Sequence, residues 1–118
     1  MLYTCSSSKA KTKVREMKQF FVDRNHGNDE VAPEKLHLDL YKKGDMTSKG
    51  FALNYEMKLR SSEAYKWMAK VSAEAIHDDV VLIGGTEEVD KTCRKLLAEM
   101  MVSMFGGKMN FRYAGEIE

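Results

Sequence analysis

The chain predicts an α+β fold, a two-layer sandwich in which an antiparallel or mixed sheet of four to five strands carries three helices. Three observations lead there. The segments KLHLDLYKK (35–43) and FALNYEMKL (51–59) alternate apolar and polar residues, the period of a strand. Three other stretches repeat apolar residues at spacings of three and four, the period of a helix. Between them VVLI (80–83) is a short unbroken apolar run, as expected of a central strand covered on both faces.

Each element follows in order. Met1 to Cys5 reads as a short strand. Ser6, Ser7 and Ser8 offer cap oxygens to a first helix whose stripe is Ala10, Val14, Met17 and Phe21, widened by Phe20 and closed at Asn25-His26-Gly27. After the loop NDEVAPE, 35–43 reads as a strand with Leu36, Leu38 and Leu40 on one side and His37, Asp39 and Tyr41 on the other. GDMTSKG turns the chain into a second strand, 51–59, with Phe51, Leu53, Tyr55, Met57 and Leu59 inward, so the pair reads as a hairpin. Ser61 or Ser62 caps a second helix to about His77, with Ala64, Met68, Val71 and Ala75 buried. Val80–Ile83 is the central strand. Thr86 caps a third helix with Val89, Cys93, Leu96, Leu97, Met100 and Met104 as its stripe, ended by Gly106-Gly107. Lys108 to Ala114 alternates as a last strand.

That order, β-α-β-β-α-β with a C-terminal α-β extension, resembles the ferredoxin-like arrangement in element order alone. All 118 residues read as one domain, since nothing rich in Pro, Gly or Ser divides them. The start carries no basic and apolar leader and the longest apolar run is four residues, so a cytoplasmic protein with no membrane partner is expected. Cys5 and Cys93 show no metal or redox spacing, and no metal or cofactor is expected.

Net charge is +1, spread unevenly: the first 26 residues hold six basic side chains against two acidic ones. Lys9, Lys11, Lys13, Arg15 and Lys18 would then line one basic helix suited to phosphate contacts of low specificity. Base stacking on the sheet is disfavoured, because the aromatics Phe51, Tyr55, Phe111 and Tyr113 fall on the expected core side. His37, Asp39 and Arg112 would share the polar sheet face. Trp67 and Met101 would meet at the edge of the helical stripe, where an aromatic and a flexible thioether suit a contact surface.

VVLIGGTEEVDKT (80–92) has the strand–glycine–helix layout of a phosphate loop but neither of its common glycine signatures. Glu87, Glu88 and Asp90 occupy the first turns of the helix, where they satisfy its dipole and repel an anion. A structural turn is expected there. His77-Asp78-Asp79 has no further spaced ligands to make it a metal site.

The residues lead to a small non-enzymatic interaction protein, of the accessory kind found in viruses and phages, binding a protein partner or a second copy of itself. Nucleic-acid binding through the basic first helix is the alternative. An enzyme using His37 with Asp39 is the third reading.

Overall fold

The computed structural model describes residues 1–9, 14–23 and 27–118. Its sheet has four strands, β1 (Leu2–Ser6), β2 (Lys18–Phe21), β3 (Val80–Gly84) and β4 (Tyr113–Ile117), in the order β2-β3-β1-β4. Every pairing is parallel: Leu2 lies beside Val80 and Cys5 beside Ile83, Lys18 beside Val80 and Phe21 beside Ile83, and β4 runs along β1 with an irregularity between Leu2 and Tyr3. Five helices are bounded among the described residues, α1 (Lys35–Lys42), α2 (Ser48–Leu59), α3 (Ser62–Ala75), α4 (Glu88–Met101) and the single turn α5 (Gly107–Met109).

The fold is therefore α+β, but the antiparallel or mixed sheet with three helices is overturned, and the ferredoxin-like order falls with it. The two alternating segments are helices. In 51–59 the strand-like set Phe51, Leu53, Tyr55, Met57 and Leu59 contains a second pattern: Phe51, Tyr55 and Leu59, four apart, are buried, while Leu53 and Met57 are 52% and 70% exposed. In 35–42, Leu38 and Tyr41 pack on the core, whereas Leu36 is 67% exposed. Neither segment holds a β-branched residue, so local preference favours the helix. Thr47 then caps α2 by accepting the Gly50 N–H at 3.0 Å, and Tyr41 stacks on Phe51 across the helical hairpin.

The first helix is corrected as well. Ser7–Lys9 is helical, but Lys18–Phe21 is a strand. Phe20 and Phe21, read as neighbours on one helical stripe, point to opposite sheet faces, Phe20 to the larger core and Phe21 to the smaller. At the other end Gly106 and Gly107 continue the helix, through a π-helical turn at Val102–Gly106; the left-handed residue that stops it is Asn110, with φ 55°. The last strand is displaced to Tyr113–Ile117.

The strand order explains two unequal layers. From β1 the chain crosses one way to β2; from β2 to β3 and from β3 to β4 it crosses the other way. Parallel crossovers are right-handed, so reversing direction changes the face on which the connection lies. The helices α1 to α4 accordingly cover one face, packing on Leu2, Val80 and Leu82. Val14 and Met17, between β1 and β2, cover the other, against Cys5, Val81 and Ile83. β3 is buried along its whole length. Among the described residues no helix is long and apolar enough to cross a membrane.

Candidate functional site

In a doubly covered parallel sheet the strands end together, and the loops that leave them build the place where a ligand is met. Here the carboxyl ends are Ser6, Phe21, Gly84 and Ile117. β3 passes through Gly84 and Gly85 into α4. The two glycines differ in kind. A Cβ on Gly85 would lie 2.3 Å from Asp90 Oδ2, so only glycine leaves room for that carboxylate. A Cβ on Gly84 would sit 3.5 Å from both Arg94 Nη1 and Val22 Cγ2, an ordinary contact.

Asp90 closes the start of α4. Its Oδ2 accepts the backbone N–H of Glu87 at 3.1 Å, and Glu87, not Thr86, is the N-cap. The positive end of α4 thus meets the protein's own carboxylate, in keeping with the structural reading of VVLIGGTEEVDKT.

Arg94 sits two turns into α4 with its side chain leaning toward the helix start, as helical side chains do. It is 2% exposed. Nε and Nη2 donate to the two carboxylate oxygens of Glu116 in β4, at 2.9 and 2.6 Å, and Nη1 donates to the Gly85 carbonyl at 2.7 Å. One side chain therefore ties α4, the β3 exit and β4 together. Burial alone would raise the Glu116 carboxyl, but hydrogen bonds from Arg94 and Thr4, with the charges of Arg94 and Lys91, hold it below its ordinary value.

Beside Arg94 lies a cavity of about 220 Å³. Val22, Ala32, Pro33, Leu38 and Tyr55 form an apolar wall from four segments of the chain. Gly84, Gly85, Asp90, Cys93 and Arg94 face it, and Asp23 completes the lining. Tyr55 is fixed by donating its hydroxyl to the Val31 carbonyl; burial, then the nearby Cys93, pushes its ionisation well above the usual value. Burial, reinforced by Asp90 and opposed by Arg94, pushes the Cys93 thiol up to about 12. That thiol is protonated at neutral pH and is not a nucleophile there. A second, smaller cleft of about 160 Å³ lies on the other side of Arg94, between Ser6, Lys9, Thr86 and the end of β4.

The residues singled out from the sequence are scattered. Lys11 and Lys13 lie outside the described residues. Lys9 lines the smaller cleft and Arg15 is exposed in the turn before β2. Lys18, at the start of β2, pairs with Glu74 and, at 3.2 Å, with Asp78, at the opposite end of the sheet. His37 and Asp39 are on α1, not on a strand; two apart on a helix, they point to different sides. Arg112 is exposed in the loop before β4. Met101 is fully buried, while half-buried Trp67 packs edge-on against Phe20 and donates to Asn28 Oδ1 at 3.3 Å. His77, Asp78 and Asp79 are exposed beyond the end of α3. Among the described residues no three His, Cys, Asp or Glu side chains are placed to hold a metal.

Arg94 and Glu116 were not singled out from the sequence, and Asp90 and Tyr55 were read only as a helix-start carboxylate and a core residue. One signal was present for Arg94. It stands three, four and seven positions before Leu97, Ala98 and Met101, so a charge lies on the buried stripe of α4. Comparison of the chain with protein-family models, curated proteins and solved structures gives no match.

Proposed function

We propose that the protein binds a small organic molecule in the cavity at the carboxyl edge of its parallel sheet. The observation that carries this is the convergence of the β2 exit, the loop before α1, α1, α2, the β3 exit and α4 on one cavity beside a buried, ion-paired arginine. Apolar walls with a few fixed polar groups are what a small-molecule site needs. Binding is favoured over thiol catalysis because burial holds the lining Cys93 thiol protonated. The test is a fragment screen followed by amide chemical shifts. A ligand should move Val22, Leu38, Tyr55, Gly84 and Cys93 together. Fragments that move only residues elsewhere would sink the reading.

Partner binding is a second reading, favoured by a different observation. An open groove of about 450 Å³ runs beside Trp67 between Gln19, Phe20, Phe21, Asn28 and Lys70, along the edge strand β2. A half-buried tryptophan at an open strand edge suits a polypeptide or a second copy of the chain. Light scattering of the wild type and Trp67→Ala tests it: a dimer lost in the variant supports the reading, and a monomer in both removes self-association.

A further inference from the structure

Each charged group that lines the cavity already has a partner inside the protein. Arg94 donates to both oxygens of Glu116 and gives a third hydrogen bond to the Gly85 carbonyl. Its charge is matched by that two-point pairing. Asp90 accepts the Glu87 N–H and closes the start of α4. Asp23 is engaged as well. No charge is left without a partner for a ligand to answer. A charged ligand would give up its hydration here and find no free counter-charge in return.

The rest of the lining is apolar. Val22, Ala32 and Tyr55 are buried, while Pro33 and Leu38 are half-buried and so reachable from solvent. Tyr55 spends its hydroxyl proton on the Val31 carbonyl at 2.5 Å, so it brings its ring to the wall rather than a free donor. Cys93 adds a protonated thiol, a small polarisable group that packs as an apolar one. A cavity of about 220 Å³ exceeds the roughly 150 Å³ that encloses benzene. It suits one ring or a compact fused pair.

Resting on the small-molecule reading above, we infer that the cavity takes an uncharged, mainly apolar molecule of one-ring or two-ring size, selected by shape and apolar contact rather than by charge. The ion pair of Arg94 with Glu116 then serves to keep the cavity neutral, not to hold the ligand.

The test titrates two probe sets into the ¹⁵N-labelled full chain at neutral pH. Benzyl alcohol, benzoate and benzylamine share one ring and differ in charge. Indole and adenine are bicycles of like size that differ in polarity. Benzyl alcohol and indole should shift the amides of Val22, Leu38, Tyr55, Gly84 and Cys93. Each should bind about fivefold or more tightly than its charged or polar counterparts. Leu38→Gln sets an amide of similar length in the half-buried part of the wall. It should weaken indole by about fivefold or more while the spread of the amide spectrum is kept. Glu116→Gln removes the charge that answers Arg94 and keeps an oxygen for it to bond. Benzoate should then gain on benzyl alcohol by about threefold or more, whereas loss of stability would weaken both alike. Benzoate, benzylamine or adenine binding as tightly as its neutral, apolar counterpart would overturn the class and leave the small-molecule reading standing. Unchanged indole affinity in Leu38→Gln, or an unchanged ratio of benzoate to benzyl alcohol in Glu116→Gln, would also overturn it. No shift with any probe, together with a blank fragment screen, would remove both.

Discussion

The two ends of the sheet use charge in opposite ways. At the amino end Lys18 reaches Glu74 and Asp78 from the first residue of β2, and every partner is about half exposed. At the carboxyl end Arg94 is enclosed and holds Glu116 with two hydrogen bonds while a third fixes the Gly85 carbonyl. Water competes for the first set and is excluded from the second. Exposed pairs are screened and contribute little, whereas a buried charge is costly as soon as its partner is removed. The comparison teaches that ion pairs alike in distance differ in consequence, and that the carboxyl end is where this fold has committed its polar groups.

The largest effect should come from Glu116→Ala. It strands a buried guanidinium and should destabilise the protein by about 3 kcal/mol or more in urea unfolding. Replacing both partners by apolar residues, Arg94→Met with Glu116→Leu, should recover most of that loss. A single variant that costs no more than an exposed substitution would break the contrast between the two ends.

Next comes the glycine pair. Gly85→Ala drives a methyl into Asp90 and displaces the cap of α4, and should cost about 2 kcal/mol. Gly84→Ala should remain within about 1 kcal/mol of wild type, because its methyl fits and the unfolded chain loses freedom. Equal melting temperatures for the two variants would contradict the geometry at the β3 exit.

Acid should act more gently and at the same end. The folded Glu116 carboxyl lies below its ordinary value, so its contribution is fully present above the unfolded value. The contribution is then lost as pH falls through the folded one. Stability should decline on acidification within and below the ordinary carboxylate range, and Glu116→Gln should flatten that part of the pH profile. A wild-type slope retained in Glu116→Gln would assign the acid sensitivity elsewhere.

The smallest effect belongs to the amino end. The hydrogen bonds that Lys18 donates to Glu74 and Asp78 raise its pKa, yet the group is about half exposed. Lys18→Ala should leave the melting temperature unchanged within error, and added salt should not alter that result. A clear loss of stability would mean that the exposed pairs matter as the buried one does.

Several elements were legible before any tertiary contact was known. Val80–Ile83 announces a central strand because an unbroken apolar run between turns has no side to turn to water. Ala64, Met68, Val71 and Ala75 identify the buried face of α3, and Ser61 caps it by accepting the Ala64 N–H. The carboxylates after Gly84-Gly85 already argued against an anion at that turn. The segment 51–59 was misread because a run of five alternating apolar residues contains a run spaced by four, and 35–43 because Leu38 and Tyr41, three apart on one helical face, fall on opposite sides of the alternation. Only the lack of β-branched residues separates the two patterns. Of the candidate site, the glycine turn and Cys93 were visible; the stripe read for α4 shares only Cys93 and Leu97 with the buried one, which also holds Arg94, Ala98 and Met101, so the charge at Arg94 was an unused signal.

What the sequence by itself determined are the features set within one helical turn or one short strand: which apolar residues of α3 share a face, where α3 is capped, and what fills the start of α4. What only the tertiary structure decided are the direction and order of the strands, the helical state of α1 and α2, the strand at Lys18–Phe21, and the cavity. These rest on contacts between residues far apart in the chain. Arg94 meets Glu116 across 22 positions and Tyr55 meets Val31 across 24. Local propensities differ by less than what burial in a packed core contributes, so the packing selects between patterns that the local sequence leaves nearly equal.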